Sequence, residues 1–121
     1  TAVQKLGIRA GNKVGVVDPP RDYVTVLGAM PEGAELMEDP AAPCDVTLWF
    51  VHDPAPFLEA LGRMRAIASQ TKLWVLWRKG SPKGITQTFV RAAAIDAGLV
   101  DYKICSVDGR WSAMAFARKK R

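Results

Sequence analysis

Asp45–Val51, DVTLWFV, is apolar at almost every position. A strand with one wet face alternates apolar and polar residues, so a run without alternation fits a strand covered on both faces. Such strands belong to parallel sheets flanked by helices. Lys72–Trp77, KLWVLW, repeats the pattern, and Lys13–Val17, KVGVV, gives a third strand in which Gly15 marks a close approach. Between these runs the spacing turns helical. Phe57, Leu61, Met64 and Ala68 recur on one helical face behind Asp53-Pro54, a cap followed by proline, with Glu59 and Arg63 set to pair on the outside.

Working outward, Thr1–Ile8 reads as a short helix docking Val3 and Leu6, and Gly11-Asn12 as a turn. Asp18-Pro19-Pro20 reads as a helix start, with Asp18 as the cap and the prolines in the first turn, where a missing N–H costs nothing. Tyr23, Val24 and Leu27 form that helix's apolar face, and Gly28 ends it. Ala34–Met37 is a weak strand, and Asp39–Pro43 a rigid loop. Gly80–Gly84 is a second loop, and Ile85–Ala97 an alanine-rich helix stopped by Gly98. Tyr102–Val107 and Trp111–Ala117 are strands joined by Asp108-Gly109, a strong hairpin signal, and Trp111 is expected partly exposed at the start of its arm. Strands alternating with helices predict a three-layer, doubly wound, mostly parallel α/β sheet. Right-handed crossovers then give the order 2-1-3-4-6-5, with a C-terminal antiparallel hairpin.

The chain has 121 residues, 49% hydrophobic and 24% charged, which suits one globular domain spanning 1–121 and excludes a disordered or collagen-like chain. No apolar run is long enough for a membrane span, and the first residues carry no signal-peptide pattern. Cys44 and Cys105 lie far apart, without metal-ligand spacing, and read as reduced thiols of a cytoplasmic protein. The net charge of +5 is divided unevenly. Residues 1–62 hold four Lys/Arg against nine Asp/Glu, whereas residues 63–121 hold thirteen against three and end in the basic tail 118–121. Opposite charge on the two halves favours self-association or a protein partner, and works against nucleic-acid binding through the basic half alone.

A parallel sheet with an antiparallel last strand inserted by a hairpin resembles the fold of S-adenosylmethionine methyltransferases, in reduced form. The local wording is similar to a family of short bacterial proteins described as a domain of unknown function. It is carried by Lys5-Leu6-Gly7-Ile8, Gly11 before Val14–Val17, Leu27 through Pro31-Glu32-Gly33, Asp45-Val46, Leu73-Trp74-Val75 before Arg78-Lys79, Gly98–Asp101, Val107-Asp108 and Trp111-Ser112. The resemblance covers nearly the whole chain. It implies a fold, and no site residues.

Val17-Asp18-Pro19-Pro20 is close to the Asp-Pro-Pro-aromatic turn of amino-methylating enzymes, but Arg21 stands where the aromatic would be and the turn follows the first strand. No Gly-x-Gly-x-x-Gly occurs, and Pro19 and Pro20 remove the N–H donors of a cofactor turn. Glu38 and Asp39, after the second strand, are the candidates for a ribose contact. Lys79–Gly84 lacks the ending of a phosphate-binding P-loop, and no serine sits on a nucleophile elbow. His52, the only histidine, follows the buried strand across the topological switch point, where open α/β sheets bind ligands. Asp18, His52, Asp53, Lys79 and Ser81 are therefore expected to ring one crevice. With neither a cofactor nor a metal expected, and no catalytic residue assigned, the leading expectation is a non-catalytic binding or interaction domain. The alternatives are a small methyltransferase or other enzyme using His52 as a base, and weak nucleic-acid binding.

Overall fold

β3 (Val46–Phe50) is buried at all five positions, as its lack of alternation requires. The computed structural model describes residues 1–120. It sets β3 in a six-stranded sheet of order β2-β1-β3-β4-β6-β5, the predicted order. β1 (Lys13–Val17) runs parallel to β2 (Glu35–Glu38) on one side and to β3 on the other. β4 (Lys72–Arg78) extends the parallel set, and β6 (Trp111–Arg118) lies antiparallel between β4 and β5 (Leu99–Ser106).

Two apolar layers cover the sheet. One face carries Val14, Val16, Val46, Leu48, Phe50, Trp74 and Leu76, against α1 (Ala2–Lys5) and α2 (Tyr23–Leu27). The other carries Trp49, Val51, Leu73, Val75 and Trp77, against α3 (Pro54–Ile67) and α4 (Gln87–Asp96). Val3 and Leu6 dock as expected, and Trp74 Nε1 donates to the Leu6 carbonyl at 2.9 Å, tying the first segment to the sheet. Phe57, Leu61, Met64 and Ala68 are buried at their helical spacing. A Cβ on Gly15 would stand 2.8 Å from Pro40 Cγ and 3.2 Å from Cys44 Sγ, so the close approach read from the sequence is the 39–43 loop packing on β1.

Several local expectations are corrected. The first helix stops at Lys5, because Gly7 turns the chain at a φ of 71°. Asp18 does not cap α2: it takes a left-handed φ of 53°, and the helix begins only at Tyr23, behind Asp22. Val24 is exposed, and Val26 is buried with Leu27 instead. The last helix starts after Thr86, whose side chain accepts from the Phe89 N–H, rather than at Ile85. Gly109 does not adopt the positive φ of a two-residue hairpin turn. Asp108 Oδ1 shapes the turn instead, accepting from the Arg110 and Trp111 N–H groups at 2.8 Å each. Glu59 and Arg63 form no ion pair among the described residues.

Trp111 is 1% exposed, against the expectation of a partly open position. β6 is an interior strand, so its first residue lies under the sheet's cover, edge-on to Phe50 at 5.2 Å between ring centroids. Arg118 belongs to β6, Lys119 N–H donates to the Gly98 carbonyl, and Arg121 lies outside the described residues. Among the described residues the division of charge is bridged at two points, where Arg110 Nη2 meets Asp22 Oδ2 at 3.0 Å and Lys83 Nζ meets Asp53 Oδ1 at 2.6 Å. Among the described residues, no helix is long and apolar enough to cross a membrane.

Candidate functional site

The carboxyl ends of β1, β3 and β4 open on the same side of the sheet, because parallel strands place their ends together. The connection from β1 runs through α2 to β2 and that from β3 runs through α3 to β4, in opposite directions across the sheet, which makes this pair of strand ends the topological switch point. Asp18 leaves β1 and His52 leaves β3. His52 Nε2 donates to the Asp18 carbonyl at 2.7 Å, a bond between the residues that follow the two strands. The acceptor is a backbone carbonyl rather than a carboxylate, which fixes the proton on Nε2 and gives the imidazole no acidic partner there.

The five residues expected to ring one crevice are divided by His52. A cleft of about 420 Å³ between β1, β3 and α3 is lined by Asp18, His52 and Asp53 with Trp49, Phe57 and Arg63. A second cleft, of about 320 Å³, is lined by His52, Lys79 and Ser81 with Val51, Arg78 and Lys83. Only His52 among the five faces both. Asp18 and Asp53 line the first cleft and Lys79 and Ser81 the second, with the imidazole bonded to the Asp18 carbonyl and lining both.

The remaining side chains have local duties. Asp53 stands at the start of α3 without capping it, and its Oδ1 takes the Lys83 ammonium at 2.6 Å. Lys79 Nζ donates to Ser106 Oγ and, at 2.8 Å, to the Asp108 carbonyl. Ser81 Oγ accepts from the Lys83 N–H at 3.3 Å and so helps shape its own loop. At the end of β2, Tyr23 Oη donates to Glu38 Oε2 at 3.3 Å, and the Asp18 N–H donates to Asp39 Oδ1 at 3.2 Å. Burial, and after it the Glu38 carboxylate, push the Tyr23 phenol above its ordinary value, so it remains a donor.

Sequence reasoning missed two participants. Arg78 was read only as the residue after a buried strand, yet its guanidinium lies 5.8 Å from the Trp111 ring centroid and lines the second cleft. A third, mostly apolar cleft of about 370 Å³ lies between the 39–43 loop and α3, with Pro40, Pro43, Met64 and Ile67 in its wall. The prolines around residue 41 were its only signal in the sequence. Among the described residues, no group of three or more His, Cys, Asp or Glu is placed to hold a metal ion.

No protein-family profile and no curated protein matches the chain. Solved structures do. The ribosomal protein L11 methylase of Lactobacillus delbrueckii subsp. bulgaricus superposes with a TM-score of 0.55 at 11% identity, over 98% of this chain and 76% of that one. The magnesium protoporphyrin IX methyltransferase of Synechocystis PCC 6803, solved with bound SAM, gives 0.52 at 11% identity, over 98% and 74%. At that identity the likeness speaks for the fold alone. Together with the strand order and the antiparallel C-terminal hairpin, it establishes that the chain has a methyltransferase-like fold in a six-stranded form.

Proposed function

We propose that the chain is a non-catalytic binding module on a methyltransferase-like sheet, with an internal lock standing where a cofactor turn would be. The observation that carries this reading is the 2.7 Å bond from His52 Nε2 to the Asp18 carbonyl, which ties the residues that follow β1 and β3 to each other. The residues around it do not fit S-adenosylmethionine. Pro19 and Pro20 have no N–H to offer, and the Asp18 N–H is already given to Asp39. Glu38 and Asp39, the candidates for ribose hydroxyls, accept from Tyr23 and Asp18 of the chain itself. A ligand would have to displace these bonds with no glycine turn to offer in exchange.

Membership of the short bacterial family belongs to the same proposal, on the sequence wording that carries the resemblance. Cys44 and Cys105 are free, which supports a reducing compartment, the cytoplasm. A small methyltransferase is the competing reading, and it has the fold in its favour. Calorimetric titration with S-adenosylmethionine separates the two: the binding module gives no saturable heat at micromolar cofactor, and the enzyme does.

A further inference from the structure

We infer that the second cleft, between His52 and the 79–84 loop, binds a small phosphate-bearing ligand through Arg78 and Lys79. This deepens the binding-module reading and names the ligand chemistry it would take. The charged side chains lining the cleft are Arg78, Lys79 and Lys83, and no carboxylate lines it. Lys79 is held by a hydroxyl and a carbonyl, both neutral acceptors, so its ammonium is positioned without being neutralised. Arg78 has no ion-pair partner among the described residues, and its guanidinium rests over the Trp111 ring. Trp111 is itself buried, edge-on to Phe50. The arginine fork is thus set in place before a ligand arrives, which lowers the ordering cost of binding.

Lys83 supplies a third, exchangeable contact. Its pair with Asp53 is exposed, at 57% and 47% of the two side chains, and an anion in the cleft competes for it readily. The Ser81 hydroxyl adds a neutral donor. A planar fork, two ammonium groups and a hydroxyl, all on residues that line one cleft, suit the tetrahedral oxygens of a phosphate group. The cleft's size, about 320 Å³, suits a small molecule.

The test is a titration of the whole chain with sodium pyrophosphate, followed by amide and indole N–H resonances, with sodium chloride of equal ionic strength as the blank. The expected result is saturable shifts confined to residues 78–83, His52 and the Trp111 indole. Affinity should fall about tenfold in Arg78→Gln, as for loss of a charge-assisted contact, and remain unchanged in Arg9→Gln. Arg78 is exposed at a strand end, and Lys83→Gln gives a second variant in a loop should the first fail to fold. Shifts spread evenly over the chain's lysines, none at about 10 mM pyrophosphate, or equal affinity in the folded variants would overturn the inference. So would a single-stranded oligonucleotide that binds while pyrophosphate does not. The S-adenosylmethionine titration is a separate measurement, so the two proposals can fail independently.

Discussion

Replacing Trp49 with alanine removes the largest side chain that β3 sends to the α3 side of the sheet. Trp49 is 3% exposed and packs on Phe57 at 5.1 Å between ring centroids, the planes tilted by 40°. Truncating a buried tryptophan costs the transfer energy of the lost atoms plus the cavity they leave, about 3–5 kcal/mol. The aromatic pairing accounts for roughly 0.5–1.5 kcal/mol of specific attraction, and Trp49→Phe should keep part of it. A domain of this length has a total stability of about 5–15 kcal/mol, so the alanine variant loses a large fraction of it. Urea unfolding followed by far-ultraviolet circular dichroism measures the change without relying on the removed chromophore. The midpoint should fall sharply with the slope unchanged. A loss below about 1 kcal/mol would refute the placement of β3 at the centre of a sheet covered on both faces.

Gly15→Ala should cost about 1–3 kcal/mol, because the new methyl meets Pro40 and Cys44; unaltered stability would mean that the 39–43 loop does not pack on β1. Burial raises the pKa of both thiols, aided at Cys44 by Asp45, so neither forms much thiolate at neutral pH. Iodoacetamide should label the native chain more slowly than the urea-unfolded chain, and equal rates would contradict the burial. The acidic β2 edge, with Glu35 and Glu38, and the edge strand β5, with Lys103, lie at opposite ends of the sheet. Sedimentation at ~0.01 M salt should show association that fades by ~0.3 M, and a monomer under both conditions would reduce the charge division to a solubility feature.

The sheet was legible because its central strands carry no polar face. Val46–Phe50 and Leu73–Trp77 could be nothing but doubly covered, and Asp108-Gly109 placed the hairpin. What failed was local. Two prolines after an acidic residue suit a helix start or a bend, and residues 18–22 form the bend because Asp18 can adopt a left-handed φ while Asp39 takes its N–H. Trp111 was read as an open hairpin position although the predicted order already put its strand inside the sheet. The site was legible only as a neighbourhood. Sequence order brings Asp18, His52, Asp53, Lys79 and Ser81 to one end of the sheet, but it does not say which way an imidazole points. His52 lines both clefts there, and Arg78, at the end of β4, lines one of them.

The claim that the residues at the locked switch point do not hold the cofactor is tested most directly by calorimetric titration of S-adenosylmethionine into the intact chain, carried to about 1 mM, where binding would still be worth about 4 kcal/mol. The account predicts no saturable heat and no shift of the His52 ring resonances. A dissociation constant in the low micromolar range, with His52 released from Asp18, would contradict it.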